Sequence, residues 1–198
     1  MRNLISAIAI SFMALPCFAS VNIGDTAPDF TLSDTYGKSH ALSDFKGKTV
    51  ILEWTNHECP FVKKHYGSHN MQNLQEKYTK QDVIWLSIIS SAKGKQGAVT
   101  PEKANQLTEK RKAHPSFVLF DKDGTTGKTY GAKTTPHMYI INTEGKLIYK
   151  GAIDSIPSAD KEDIAKATNY IDKAMDEYMS GKTVSETSTV SYGCGIKY

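Results

Sequence analysis

The stretch 53-EWTNHECPFVKKH-65 decides how the rest of the chain is read. It follows a short apolar run, Val50-Ile51-Leu52, which with Glu53 and Trp54 predicts a buried strand. Pro60 fits the first position of a helix, because its missing N–H would go unused there. Cys59 therefore stands where a strand hands over to a helix. Unpaired N–H groups and the positive end of the helix dipole favour a thiolate at such a place. Lys63 and Lys64 add positive charge within a turn, and Glu58 opposes them if it points inward. Position 62, where a second cysteine would complete a local dithiol, is Val62. The plainer alternative is that Cys59 is a small buried hydrophobe.

Outward from this stretch, the pattern predicts one α/β unit. Residues 60–80 read as helix with a weak point at Gly67-Ser68, and Met71, Leu74 and Tyr78 recur at helical spacing. Phe30-Thr31-Leu32 and Ser39 to Leu42 read as short strands before Val50, and Val83 to Ile89 as a second buried strand. Thr100-Pro101 opens a helix. Phe117 to Phe120 is a strand closed by the Asp121 to Gly124 turn. His137 to Ile141 and Lys146 to Lys150 form a hairpin. Ile164, Thr168, Ile171, Met175 and Tyr178 line a long last helix, with Gly181 as its stop. Crossovers plus a terminal hairpin imply a mixed sheet with helices on both faces. The expected division is a leader at 1–19, a domain at 21–180 and a polar tail at 181–198.

The leader reading rests on Arg2, an apolar run from Leu4 to Leu15, and small residues at Cys17 and Ala19. Cleavage is expected after Ala19, giving a periplasmic or secreted protein with no membrane anchor. That leaves Cys59 and Cys194 of the three cysteines, in a compartment where disulfides persist. The net charge of +3 falls by one with Arg2. Arg111 is then the only arginine, which argues against nucleic-acid recognition by arginine forks. Nothing in the sequence calls for a cofactor.

A second feature is 134-TTPHMYIIN-142, where Thr135 precedes a proline that opens a strand. The segment reads either as a tight, fixed turn with a cis Thr135–Pro136 bond or as an ordinary trans edge proline. With these residues in hand, the chain from Val21 to Met179 resembles the thioredoxin superfamily, in its redoxin or peroxiredoxin-like branch. GDTAPDFTL (24–32) and LSDFKGKTVIL (42–52) look like that branch's opening, and 134–154 is similar to the cis-proline hairpin of secreted thioredoxin-like proteins. The resemblance implies a thioredoxin-like fold, Cys59 as nucleophile, and Thr135 and Pro136 as the wall of a substrate groove. Trp54, Thr55, His57, Glu58 and Lys63 would support the site, and His57 and Glu58 read equally as proton relays or as solvated loop polarity. A thiol/disulfide protein or a small thiol reductant would be the partner. Two departures matter: Val62 stands at the resolving position, and Thr55 is one residue too far from Cys59 for the peroxiredoxin spacing. The peroxiredoxin arginine has no counterpart beside Pro136, so Arg111 would have to reach in from elsewhere.

Cys194, between Gly193 and Gly195, is the expected resolving thiol on a flexible arm. About 13 extended residues span roughly 40 Å, so reach does not limit it. The alternative is a free or structural thiol in a tail docked by Tyr192 and Tyr198. Two further readings stay open. His57, Cys59 and His137 would offer a soft N/S site for copper or zinc, or the domain would be a redox-inactive scaffold. His40, His65, His69 and His114 read as surface or turn residues.

Overall fold

The computed structural model describes residues 21–198. The expected leader and its cleavage point lie outside the described residues. Seven strands form one mixed sheet: β1 (Thr31–Asp34), β2 (Ser39–Ala41), β3 (Val50–Trp54), β4 (Ile84–Ile89), β5 (Phe117–Phe120), β7 (His137–Ile141) and β8 (Leu147–Gly151). They lie in the order β2-β1-β5-β4-β3-β7-β8. β3 and β4 run parallel, as do β4 and β5, while β7 runs antiparallel to β3. β3 is thus central and buried along its whole length, as a continuous apolar run requires.

The side-chain period of two sorts β3 between two apolar layers. Val50, Leu52 and Trp54 join Leu86, Ile88, Tyr130 and Tyr139 on one face. Ile51 joins Trp85, Met138 and Ile140 on the other, where the helices α1 (Pro60–Gly67), α2 (Asn70–Thr79) and α5 (Tyr170–Met179) pack. α3 (Pro101–Arg111) adds Ala104 against Ile89 and Phe120, and the short α4 (Thr125–Tyr130) supplies Tyr130 to the first face. Burying side chains such as Met71, Leu74 and Tyr78 of α2 stabilises this layer by about 1.5–3 kcal/mol each.

Three local expectations change. The stretch 60–80 is two helices, separated by His69 in the left-handed region (φ 62°). The last helix starts at Tyr170, because the Asn169 side chain caps the N–H groups of Ile171 and Asp172. Ile164 therefore follows a 3-10 turn instead of sitting on that helix. Gly181 lies just beyond the cap with φ 76°, as a helix stop needs.

The larger correction concerns the tail, which is docked along its length. Residues 187–189 run beside β8, with Lys150 N donating to Thr187 O and Thr189 N to Lys150 O (3.0 and 3.1 Å). Cys194–Gly195 forms β9, which pairs antiparallel with β6 (Thr134–Thr135). Ile196 N donates to Lys133 O (3.0 Å) and Ala92 N to Lys197 O (2.7 Å). The Tyr198 ring lies where a Cβ on Gly127 would stand, and its hydroxyl donates to Ala132 O (2.8 Å). No helix among the described residues is long and apolar enough to cross a membrane.

Candidate active site

Cys59 is the N-cap residue of α1, extended at φ −64°, ψ 125°, with Pro60 at the first helical position. Its carbonyl accepts the N–H of Lys63 (2.9 Å), so the helix starts directly at the cysteine. The side chain is fully buried. Its Sγ donates to the carbonyl of Thr135 (3.0 Å), the residue before a cis Pro136. Cys194 is the register partner of that same Thr135. Both cysteines therefore meet at one residue, Cys59 by its thiol and Cys194 by its backbone, and both thiols are free.

Their acidities diverge. Burial pushes the Cys59 thiol up, but a hydrogen bond from the Cys194 thiol, then N–H groups of Val62 and Cys194, outweigh it and bring Cys59 below its ordinary value. The Cys194 thiol is pushed up to about 11, by burial and then by the hydrogen bond to Cys59 and its charge. Lys197 and Lys63 work the other way on Cys194. Cys59 is thus the more acidic thiol of the pair and Cys194 the less acidic.

The supporting residues divide. Lys63 is exposed at the rim and acts through its charge. Thr55 is buried with its hydroxyl unpartnered. It lines a small pocket of about 40 Å³ with His57, Tyr66, Ser87 and Arg111. Arg111 does reach the loop from the end of α3: its Nη2 donates to His57 O (3.2 Å) and its guanidinium stacks on Tyr66 (4.5 Å). Burial pushes the His57 imidazole down, and Arg111, Lys103 and Lys63 add to that against Glu58. Glu58 turns away from the thiol and accepts Gly97 N (2.7 Å), which pins the 91–99 loop. Trp54 packs in the apolar layer opposite Cys59, with its indole N–H on Ser90 (3.0 Å).

His137 does not join a metal set. Its Nδ1 accepts Lys133 N (3.2 Å), and burial followed by Lys150 and Lys133 lowers its pKa to about 3. Among the described residues no three His, Cys, Asp or Glu side chains converge on a metal position. Two histidines expected at the surface are buried: His40 pairs with Asp34 (2.9 Å), and His65 has no exposure.

Two polar clusters near the thiols escaped the sequence reading. Glu53 is fully buried on the face of β3 that carries the Cys59 layer. It accepts hydrogen bonds from Tyr66 (2.9 Å), Trp85 (2.9 Å), Ser87 (2.9 Å) and Gln75 (3.2 Å), while burial raises its pKa. A charge inside the run 50-VILEW-54 was the available signal. The second cluster holds the tail. Tyr192 donates to Asp154 and meets His65 Nε2 (3.2 Å), and Asp154 also pairs with the buried Lys64 (3.1 Å). Phe61 packs edge-on against the Tyr192 ring.

The redoxin family profile matches residues 22–169. The chain is 31% identical over 128 residues to the thiol-disulfide oxidoreductase ResA of Bacillus thuringiensis, covering 65% of this chain and 68% of that one. It is 29% identical over 149 residues to a bcp peroxiredoxin candidate of Coxiella burnetii, covering 75% and 87%. Among solved structures, an uncharacterized conserved protein of Geobacillus kaustophilus superposes with a TM-score of 0.74 at 27% identity, covering 94% of this chain and 98% of that one.

Proposed function

As a member of the redoxin family of the thioredoxin superfamily, the chain belongs among thiol-dependent oxidoreductases, and we propose that Cys59 is its nucleophile and Cys194 its resolving thiol. The observation that carries this is the meeting of both cysteines at Thr135. Cys59 attacks one sulfur of a partner disulfide, forming a mixed disulfide and releasing one thiolate. Cys194 then attacks Cys59 Sγ, forming the Cys59–Cys194 disulfide and releasing the second thiolate. The acidities support this order. Once Cys59 is consumed, the hydrogen bond and charge that helped hold the Cys194 proton are gone, leaving burial opposed by Lys197 and Lys63. A thiol reductant returns the pair to its starting state.

Peroxide is the second substrate class, through a Cys59 sulfenic acid that Cys194 condenses with. Disulfides are favoured because Arg111 spends its fork on the His57 carbonyl and the Tyr66 ring. An exported location, periplasmic or secreted, belongs to the same proposal. The leader-like start and the need for lasting disulfides support it.

The test is stoichiometric. Reduced protein mixed with oxidised glutathione releases two glutathione thiols per chain. The Cys194→Ser protein releases one and keeps one bound as a mixed disulfide, and Cys59→Ser releases none. Two thiols from Cys194→Ser, or none from the unaltered chain, would overturn the assignment.

A further inference from the structure

The net charge of +3 conceals an uneven spread. Four segments surround the thiols: 59–75 from α1 into α2, the 91–99 loop, 127–141 with Thr135 and Pro136, and the tail from 187. All four carry lysine, and none contains an Asp or Glu. The carboxylates that come near are already spent. Glu58 accepts Gly97 N (2.7 Å), and Asp154 is buried against Lys64 and Tyr192.

The lysines here also differ from those elsewhere. Lys48, Lys77, Lys80, Lys166 and Lys173 each pair with a carboxylate. Lys63, Lys93, Lys95, Lys133 and Lys197 are exposed and, among the described residues, make no ion pair. They stand close to the sulfurs. Lys63 follows Cys59 by one turn, its N–H on Cys59 O (2.9 Å). Lys133 O accepts Ile196 N (3.0 Å). Lys197 Nζ lies 4.0 Å from the place of a Cβ on Gly195, next to Cys194. Lys197 O accepts Ala92 N (2.7 Å), which ties in the loop that carries Lys93 and Lys95. Unpaired charges of one sign attract the opposite sign over about 10 Å at 0.1 M salt and raise its encounter rate. The attacking and leaving thiolates are both anionic, so these lysines help any disulfide. Carboxylates beside the disulfide gain further, and ammonium groups lose.

We propose that this ring of lysines selects a partner protein's disulfide flanked by Asp or Glu, with Lys63, Lys133 and Lys197 setting the preference. This rests on the thiol-exchange reading above and names its substrate class. Cys59 bonds to one sulfur of the acidic disulfide, the other sulfur leaves as a thiolate, and the flanking carboxylates lie against the lysines.

The first measurement needs no disulfide. The Cys194→Ser protein is alkylated at Cys59 with iodoacetate and with iodoacetamide, which share the attacked carbon and the leaving iodide and differ in charge. A change in thiol acidity moves both rates alike and cancels in their ratio. The ratio is expected about fivefold above that of 2-mercaptoethanol in about 0.01 M salt and near it in about 1 M, as the Debye length falls from about 30 to 3 Å. Lys133→Glu with Lys197→Glu should lower the ratio by about fivefold or more. The same charge change at the opposite end of the sheet should leave it within about twofold. Lys46→Glu before β3 with Lys182→Glu after α5 makes that change, since Tyr178 of α5 meets Thr143 in the turn after β7. The unaltered chain is then given the disulfide dimers of blocked Glu-Cys-Glu and Lys-Cys-Lys, each rate divided by that of 2-mercaptoethanol with the same dimer. The acidic dimer is expected to react about tenfold faster. A ratio equal to that of 2-mercaptoethanol at low salt, a Lys133/Lys197 variant no different from the far one, or equal rates for the two dimers would overturn the proposal. A raised alkylation ratio with neither dimer reduced would instead overturn the exchange reading itself.

Discussion

Cys59 and Cys194 meet at the same residue, yet the molecule holds them by different means. Cys59 is fixed by the core: β3 delivers it, α1 begins at it, and buried side chains enclose it. Cys194 is held by a strip of chain outside the sheet, fastened at Thr189, Tyr192, Ile196 and Tyr198. Its neighbours on both sides are glycines, and the β9 ladder is two residues long. One half of the site is as stable as the domain. The other is held by a few hydrogen bonds and side-chain contacts, and segments held in that way can open short of global unfolding. A reaction needing two thiols in turn, with a partner admitted for the first step and released by the second, needs one fixed thiol and one that can withdraw.

Breaking the fixed half has the largest effect. Cys59→Ser should lower disulfide turnover by on the order of 10³-fold or more, measured with oxidised glutathione under excess reductant. Glu53→Ala leaves the Tyr66, Trp85 and Ser87 donors buried without an acceptor, and should destabilise the fold by about 3–5 kcal/mol in urea unfolding. Glu53→Gln should cost clearly less, since it keeps the shape and one acceptor oxygen.

Acid should sharpen the contrast next. His65 and His137 have pKa values lowered to about 4 and about 3, below the ordinary 6.5. Both are buried neutral, so the unfolded chain binds more protons as pH falls. Their contribution is complete above about pH 6.5 and is lost toward pH 4 for His65 and pH 3 for His137. The slope is about 1.4 kcal/mol per pH unit for each group. His65→Gln should flatten the upper part of this fall, and denaturant midpoints between pH 7 and 4 would show it.

Loosening the mobile half should be milder. Tyr192→Phe deletes the hydroxyl shared with Asp154 and His65, at a cost of about 1–3 kcal/mol. It should slow closure of the mixed disulfide by Cys194 while leaving the first attack by Cys59 unimpeded. Stopped-flow release of the two glutathione thiols separates those steps. The smallest expected change is in acidity. Cys194→Ala removes the leading stabiliser of the Cys59 thiolate, so the alkylation profile of Cys59 with iodoacetamide should move to higher pH.

The sequence carried the fixed half better than the mobile one. β5 and β7 have the boundaries their apolar runs predict, and Pro60 marks the start of α1. Of the two readings at Pro136, the cis bond is the one present. These are local signals, and backbone chemistry enforces them locally. The tail offered only Tyr192 and Tyr198, the docking residues of the alternative reading: its Ser/Thr-rich composition reads as a free arm, whereas its docking depends on an unpaired strand edge and a buried Asp154 far away in sequence. Arg111 was legible as the only arginine after the expected leader but not as the group that holds the His57 carbonyl. His65 looked like a surface residue because its burial is completed by Tyr192, 127 positions later. Glu53 was the missed local clue, an acid in a strand that has no exposed face.

The proposed chemistry requires Cys194 to close onto Cys59 within one chain. Reduced protein treated with one equivalent of disulfide or peroxide, then digested and mapped by non-reducing mass spectrometry, tests it directly. A Cys59–Cys194 cross-linked peptide is expected as the main product, from protein that still runs as a single chain on a non-reducing gel. Cys59 recovered as a lasting mixed disulfide or sulfinic acid beside a free Cys194, or the cross-link found only between chains, would contradict it.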